Sequence, residues 1–422
     1  MKTNHTLPGA DDITRVRLEN GITVLARANF ASPSVVISGY MATGSLNDTD
    51  EKLGLSYFTS LGLMRGTQKR SFQQIFDALE SAGASLGFSA GVHTTGFSGR
   101  ALAEDLPLLL DVLVETSQQP IFPASEMERL RAQMLTGLAM RAQDTGEMAS
   151  LTFDQMIYAG HPYRRPEDGY TETIQAITQK DILEYHRRWY GPRDMVIVAV
   201  GAVEPQQVVD MVEKTLGGWQ NPQQPPAVLL PPLEPLSQPA FQKYEIPGKV
   251  QSDLIMGVIG PYRKSDDYLA ASLGNNILGQ FGMMGRIGKS VRERSGLAYY
   301  AYSAVNAGIG PGTWEVSAGV NPRNLSKAEA LTRKEIARFA NKKVFWSELR
   351  DSQANYIGRL PLSLESNGGV ASALLNLQRY DLDLDYYRTY ADRVRVVTPA
   401  NVLEAAHRYW DLNRLVVAVA GP

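Results

Sequence analysis

The sequence has 422 residues, 44% of them apolar, and its 42 basic side chains nearly balance 44 acidic ones. This length predicts two or more domains with substantial cores, and the net charge of −2 predicts no nucleic-acid or membrane partner. The absence of cysteine excludes disulfide bonds and thiolate metal sites. The chain opens without the apolar run of a signal peptide, and no apolar run reaches the ~20 residues of a spanning helix, so we expect a cytoplasmic protein.

The first half of the sequence predicts strands followed by helices. Residues 15–26 predict a β-hairpin, because apolar residues alternate on both sides of Asn20-Gly21, a pair that suits a type I′ turn. Capping boxes that begin at Ser71 and Ser125 predict two helix starts. The other predicted elements are strands at 34–42, 85–90 and 93–100 and helices at 54–66, 106–116 and 149–158. This order indicates an α+β domain built on a largely antiparallel sheet.

One segment occurs twice. Residues 178–201 and 398–421 align without a gap, so that Thr178 matches Thr398. Each copy predicts a helix capped by threonine, a short loop, and a β-branched strand that ends at glycine. The repeat therefore predicts two similar domains, each ending on this helix–strand unit.

The second half repeats the order of strands and helices seen in the first. Its predicted elements are strands at 242–246, 250–260, 297–305 and 313–320 and helices at 266–278, 326–339, 347–360 and 365–378. Between the halves, residues 219–241 contain seven prolines, which favour an extended form over a helix. We interpret this stretch as an interdomain linker, although it also fits a long surface loop. The predicted domains are residues 1–218 and 242–422.

No histidine motif points to a metal site. The five histidines form no HxxH or HxxEH pair, and each is typical of a structural or solvated residue. A glycine-dense stretch, GMMGRIGKS at 282–290, has one residue too many for a phosphate loop. Its glycines predict either a loop that exposes backbone groups to a peptide or a simple linker between two helices.

Several motifs together resemble the M16 (pitrilysin/insulinase-type) zinc metallopeptidases, in particular the bacterial two-domain group related to mitochondrial processing peptidase. The resemblance covers nearly the whole chain. Its motifs are RLENGITVLA near the start, GLSYFTSLGLMRGT at 54–67, HPYRRP at 161–166, the glycine stretch with VRERSGLAYY at 282–300, and the two repeat copies. The resemblance implies two homologous α+β domains joined by a linker, which agrees with the duplication.

The sequence departs from this family at the catalytic motif. Active members carry HxxEH where this chain has Tyr57, Ser60 and Leu61, so both histidine ligands and the glutamate base are missing. A further glutamate ligand of the family would fall near residues 136–138, where there is no carboxylate. We therefore predict that this chain binds no metal or other cofactor and that zinc belongs to a partner subunit.

A second family feature is retained. Active assemblies use an arginine and a tyrosine seven residues later to hold the substrate, and Arg292 and Tyr299 have that spacing. Guanidinium and phenol groups can donate hydrogen bonds to a peptide carbonyl or a developing oxyanion. From the residues alone, the favoured interpretation is that Arg292 is a solvated helix end and Tyr299 a core residue of a strand; the resemblance favours the functional interpretation. The resemblance also implies substrate contacts at Gly282 and Gly285.

The resemblance predicts a non-catalytic, substrate-binding subunit of a heterodimeric M16 zinc peptidase. Its partner would be an HxxEH-containing paralogue and its substrate a peptide. The alternative assembly is a homodimer formed when the partner is missing. The main alternative is a structural or assembly protein with the same fold and no part in proteolysis, a function that loss of HxxEH fits equally well. An independent enzyme with a different site would need a convergent polar pocket that the sequence does not reveal.

Overall fold

The protein is described by a computed structural model that covers residues 7–234, 236–280 and 284–422. The strands in this part of the chain are β1 (Thr14–Arg17), β2 (Thr23–Ala28), β3 (Ser34–Met41), β4 (Ser85–Ala90), β5 (Thr95–Leu102), β6 (Val196–Gly201), β7 (Ala240–Glu245), β8 (Ser252–Ile259), β9 (Ala298–Asn306), β10 (Thr313–Val320) and β11 (Val416–Gly421).

Helices connect and cover these strands. Those of the first half are α1 (Leu55–Gly62), α2 (Phe72–Ser81), α3 (Leu106–Gln118), α4 (Ala124–Arg141), α5 (Thr145–Ile157), α6 (Thr171–Ala176), α7 (Gln179–Trp189) and α8 (Pro205–Leu216). Those of the second half are α9 (Tyr268–Asn275), α10 (Leu325–Asn341), α11 (Trp346–Ser363), α12 (Asn367–Arg379), α13 (Tyr386–Arg395) and α14 (Pro399–Tyr409). No helix in the described ranges is both long and apolar enough to cross a bilayer.

The strands form two sheets of related topology. The first has the order β1-β2-β6-β3-β5-β4, and the second has the order β7-β11-β8-β10-β9. Each contains one parallel pair, β2 with β6 and β7 with β11, and its other pairs are antiparallel. This arrangement confirms the predicted α+β fold with two homologous, largely antiparallel sheets.

The repeated segment forms the same unit in both sheets. Thr178 and Thr398 each cap their helix by accepting the N–H of the third following residue, through capping boxes that begin α7 and α14. The strands that follow, β6 and β11, are buried along their whole length, and each lies between two neighbouring strands. Both end on a glycine with a positive φ, 155° at Gly201 and 156° at Gly421.

The chain divides into two compact units that are not contiguous in sequence. The first contains residues up to Leu138, Arg165–Leu229 and Pro361–Arg388, and the second contains Ala139–Arg164, Leu230–Leu360 and Thr389–Pro422. This division differs from the contiguous halves, 1–218 and 242–422, because each sheet is covered by a helix from the other half of the sequence. Helix α12 packs on β3 and β6, and α5 packs on β8 and β11.

Each unit has its own apolar core. In the first unit, the core lies between its sheet and helices that include α1, α3 and α7, around Phe58, Leu113 and Ile197. In the second unit, alternate residues of β11 enter two clusters, one with Val417 and another with Ala418. The continuous apolar run of this strand is therefore explained by burial on both faces of the sheet.

Three local predictions differ from the structure. The turn between β1 and β2 spans residues 18–22, and Gly21 alone has a positive φ, of 98°, so it is not the predicted type I′ turn. Helix α4 begins at Ala124, which places Ser125 inside its first turn rather than at its cap. Helix α10 begins at Leu325 with Asn324 at its N-terminal cap, so Ser326, the predicted first residue, is the second residue of the helix. The capping box at Ser71, by contrast, forms as predicted.

Candidate functional site

The helix that carries the altered motif begins on a buried carboxylate. Helix α1 starts after Gly54, whose φ of 90° is in the left-handed region that favours glycine. The carboxylate of Asp48 accepts the N–H groups of Gly54 (3.0 Å) and Ser56 (2.9 Å) and the hydroxyl of Ser56 (3.1 Å). Asp48 is 4% exposed, and burial raises its pKa to about 7 despite these hydrogen bonds. It therefore fixes the start of α1.

Ser60, at the position of the family glutamate, is part of the fold. Its side chain is fully buried, and its Oγ donates to the carbonyl of Tyr57 at 2.8 Å. The same Oγ accepts the N–H of Ala90 at 3.0 Å, which joins α1 to the edge strand β4. Because both the donor and an acceptor position of this hydroxyl are occupied within the fold, Ser60 stabilises the packing of α1 on β4.

The other two motif positions are half-buried. Tyr57 and Leu61 both pack against the apolar core of the first unit. Burial raises the pKa of the Tyr57 phenol, and the carboxylates of Asp168 and Glu167 raise it further. A neutral phenol is a poor metal ligand, and the side chain of Leu61 has no donor atom.

A zinc ion does not fit these positions. Zinc sites use imidazole, thiolate or carboxylate ligands, and α1 offers a phenol, an engaged hydroxyl and an aliphatic group. At the position of the family's third ligand, Thr136 is exposed and its hydroxyl donates to the carbonyl of Ala132 at 2.9 Å. In the described parts of the chain, no group of three or more histidine or carboxylate side chains could hold a metal ion.

Two histidines occupy structural positions. A ring nitrogen of His186, Nε2, lies 2.8 Å from the carbonyl oxygen of Ser117, so it must carry the proton and donate. Burial lowers the pKa of His186 to about 4, because the charged form would lose its hydration. His161 is 2% exposed, and its Nδ1 accepts the N–H of Tyr163 at 3.2 Å. Burial also lowers the pKa of His161, so burial disfavours the charged form of both imidazoles.

The second unit presents Arg292 and Tyr299 at its surface. Arg292 lies in a π-helical turn, Gly288–Glu293, and is exposed. After this turn, the N–H of Gly296 donates to the carbonyl of Arg292 (2.9 Å), and strand β9 begins at Ala298. Tyr299 is 58% exposed on this strand, so it is not a core residue. Their joint part in substrate binding stays a prediction.

The structure describes only part of the glycine stretch. Gly282 lies outside the described residues, whereas Gly285 is buried. A Cβ at Gly285 would lie 2.7 Å from the Cα of Gly279, and a Cβ at Gly279 would lie 2.6 Å from the backbone nitrogen of Ser303. Close backbone packing thus accounts for both glycines, and a substrate contact at Gly285 stays a prediction.

Sequence reasoning missed the polar groups around α1. Arg165 forms an ion pair with Asp50 (2.9 Å) and donates to the backbone carbonyl of Asp48 (3.2 Å). Burial, with a contribution from Asp168, raises the pKa of Glu167. These residues lie in loops about 120 positions apart in sequence, and no local pattern links them. The acidic run Glu167-Asp168 next to the motif HPYRRP was the one available signal.

Comparison with known proteins identifies the same family in both halves. A family model described as insulinase (peptidase family M16) matches residues 23–166, and one described as peptidase M16 inactive domain matches residues 176–356. An uncharacterized zinc protease of Streptomyces coelicolor is 25% identical over 371 residues, which cover 87% of this chain and 80% of that protein. Subunit 1 of the human mitochondrial cytochrome b-c1 complex is 25% identical over 269 residues, 63% of this chain and 55% of that protein.

A solved structure shares the fold. The peptidase M16 inactive domain from Pseudomonas fluorescens superposes with a TM-score of 0.91 at 24% identity, covering 97% of this chain and 98% of the other. The two family models lie in consecutive halves, and the motif positions in the first hold Tyr57, Ser60 and Leu61. The chain therefore belongs to the peptidase M16 family, as a member without the zinc-binding motif of the active enzymes.

Proposed function

We propose that this chain is the non-catalytic, substrate-binding subunit of a heterodimeric M16 zinc peptidase. The observation that carries the proposal is that α1 holds a buried, hydrogen-bonded serine at the former catalytic position. Ser60 is buried, and its hydroxyl joins α1 to β4 where an active enzyme needs a glutamate beside the metal. An HxxEH-bearing paralogue would therefore supply zinc and the catalytic base, and this chain would hold the peptide.

The exposed pair in the second unit supports the substrate-binding part of the proposal. The guanidinium of Arg292 has several N–H donors and the phenol of Tyr299 has one, and both residues are exposed. A guanidinium can hold a peptide carbonyl, and a phenol can stabilise the oxyanion that develops during peptide hydrolysis. Neither contribution requires a metal on this chain.

The position of β9 also favours peptide binding. It is the last strand of its sheet in the order β7-β11-β8-β10-β9, so one of its edges has no strand partner in the described chain. An extended peptide can add to such an edge through backbone hydrogen bonds, with side-chain contacts giving specificity. Tyr299 is the second residue of this strand and Arg292 precedes it by one short turn. We propose that a peptide on this edge contacts both side chains.

The test begins with the chain alone. Purified with zinc, it should not cleave peptides, and the addition of an HxxEH-bearing M16 paralogue should give zinc-dependent cleavage. Arg292→Ala in the reconstituted pair should raise KM, because the arginine holds the ground-state peptide. Tyr299→Phe should lower kcat by roughly 100- to 1,000-fold, the range for loss of one oxyanion donor. Metal-dependent turnover by the lone chain would refute the proposal.

Exposed residues of the same unit supply matched controls. Arg294→Ala removes an exposed arginine two positions from Arg292, and Tyr262→Phe removes a hydroxyl from a 47% exposed tyrosine of the second unit that is not on β9. Both control variants should keep the KM and kcat of the reconstituted pair. Equal losses in the test and control variants would indicate a general surface effect rather than substrate binding.

The second candidate function is structural. It is favoured by the similarity to subunit 1 of the mitochondrial cytochrome b-c1 complex. An assembly protein of this kind would form a stable complex in which neither Arg292→Ala nor Tyr299→Phe changes any peptidase activity. Isolation of the tagged chain from its own cells, followed by zinc measurement and peptide assay of the complex, separates the two functions. Fractionation of the same cells tests the expected cytoplasmic location.

A further inference from the structure

The second unit contains a cavity remote in sequence from Arg292 and Tyr299. Its volume is about 650 Å³, which is within the range of small-molecule sites. Side chains of Ile157, Val258, Ile259 and Leu412 contribute apolar surface. The remaining lining includes the amides of two asparagines and the residues that follow α14. All the lining residues belong to the second unit.

One residue of this lining has a buried donor without an acceptor. Trp410 lines the cavity and is only 3% exposed, and its indole Nε1 has no hydrogen-bond partner within the described chain. The ring is held in place because it packs against Trp314 with ring centroids 5.7 Å apart, and its backbone N–H caps α14 on the carbonyl of Ala406. A buried N–H that makes no hydrogen bond is destabilising, so a donor kept in this state indicates an acceptor that arrives from outside.

The other copy of the repeat shows that the unpaired donor is not a property of the repeat itself. Tyr190 occupies the position after α7 that Trp410 occupies after α14. Its hydroxyl lies 3.4 Å from the Oγ1 of Thr95 within the first unit. The polar group at this position thus has a protein partner in one unit and none in the other.

The charged groups at the cavity favour an anionic acceptor. The lining contains three basic residues, His407, Arg408 and Arg414, and one acidic residue, Asp411. Arg408 is engaged by Asp267 at 2.9 Å, which leaves Arg414 and the exposed His407 against the single carboxylate of Asp411. The contact between Arg414 and Asp411 is long, 3.5 Å, and the Arg414 side chain is 54% exposed, so a ligand can compete for it. The cavity lining therefore combines basic hydrogen-bond donors with apolar side chains.

We propose that this cavity binds a small apolar carboxylate. Its hydrocarbon part would lie against the aliphatic side chains, and its carboxylate would accept hydrogen bonds from Nε1 of Trp410 and from the guanidinium of Arg414. This site would function independently of peptide binding by Arg292 and Tyr299.

Three probes of equal chain length test the proposal on the full chain. Octanoate carries the carboxylate, octanamide carries a neutral acceptor, and octylamine carries a cation without an acceptor. Isothermal titration should give binding of octanoate below 1 mM, a Kd of roughly 10⁻⁴ M being usual for so few apolar atoms with one charged contact. Octanamide should bind about tenfold more weakly, and octylamine should not bind.

Two variants assign the contacts. Trp410→Phe keeps an aromatic ring but removes the N–H, and it should weaken octanoate binding about tenfold, the effect of one lost hydrogen bond. Arg414→Gln, at an exposed side chain, should weaken octanoate but not octanamide. Trp346→Phe is the control, because Trp346 is 56% exposed in the same unit and does not line the cavity. Its affinity for octanoate should equal that of the unaltered protein.

The outcomes separate a ligand site from a groove that holds water alone. Absence of octanoate binding at 10 mM, a concentration of roughly 100 times the expected Kd, would overturn the proposal. Equal affinity of Trp410→Phe and Trp346→Phe for octanoate would overturn the assignment of the indole. Equal binding of octanoate and octylamine would show partition into an apolar surface and would overturn the choice of a carboxylate.

Discussion

Replacing Ser60 tests whether the former catalytic position has become structural. In Ser60→Ala, the carbonyl of Tyr57 loses a donor and the N–H of Ala90 loses its acceptor. Ala90 is 3% exposed, so its N–H cannot readily turn to water. A buried donor left without a partner costs about 1–3 kcal/mol, and we expect the free energy of unfolding of the first unit to fall by that amount.

The family residue should be worse than alanine at this position. Ser60→Glu would place a larger side chain and a carboxylate at a site that is 0% exposed, with no cation shown beside Ser60 in the described contacts. Both overpacking and an unpaired buried charge are destabilising, by about 3–5 kcal/mol for the charge. Ser60→Glu should therefore destabilise the first unit whether or not any peptidase activity returns.

Two measurements report on Ser60→Ala. Urea unfolding followed by circular dichroism gives the shift in midpoint, and hydrogen exchange of the peptide that contains Ala90 gives the local effect. The Ala90 amide should exchange faster in the variant, whereas amides in the second unit should keep their rates. This second measurement distinguishes the loss of one hydrogen bond from global destabilisation.

Ser81 provides the matched control. Its hydroxyl, like that of Ser60, donates to a carbonyl three residues earlier in a helix, that of Ala78 at 3.1 Å, but it is exposed. Ser81→Ala should change the free energy of unfolding by less than about 0.5 kcal/mol. If Ser60→Ala and Ser81→Ala have the same stability, the reasoning about Ser60 is wrong.

Three further predictions concern packing and pH. Gly285→Ala should lower the free energy of unfolding by about 1–3 kcal/mol, because the added Cβ would collide with neighbouring backbone. Gly358→Ala in α11 should raise the free energy of unfolding by about 0.5–1 kcal/mol, because a Cβ there meets open space. Thermal melts compare the two variants. His186 has a pKa lowered to about 4 and should remain neutral above that pH in the folded protein. As pH falls from 6.5 to 4, the unfolded chain takes up a proton that the folded chain does not, so the free energy of unfolding falls. His186→Gln should flatten that part of a urea-midpoint profile. Asp48, with a pKa raised from 3.8 to about 7, acts oppositely, because the unfolded chain releases its proton first and stability falls as pH rises between these values. Asp48→Asn should remove this slope, and an unchanged profile would show that Asp48 stays ionised in the fold.

The local pattern was sufficient for the duplicated unit and for the loss of the motif. Threonine caps, a 3.6-residue periodicity and β-branched runs are properties of neighbouring residues, so α7, β6 and their counterparts could be predicted without knowledge of packing. The absence of imidazoles at Tyr57 and Leu61 is likewise visible in the sequence. The spacing of Arg292 and Tyr299 identified a candidate pair, but not its exposure.

Tertiary packing decided what no local pattern contains. That α12 covers the first sheet and α5 the second depends on contacts between residues about a hundred or more positions apart. The hydrogen bond from the N–H of Ala90 to Ser60 joins residues 30 positions apart. The burial that moves the pKa values of Asp48 and His186 arises from the same long-range packing. The unpaired indole of Trp410 is also a result of packing, because the repeat supplies an aromatic residue at that position in both units and only the surroundings determine whether its polar atom finds a partner.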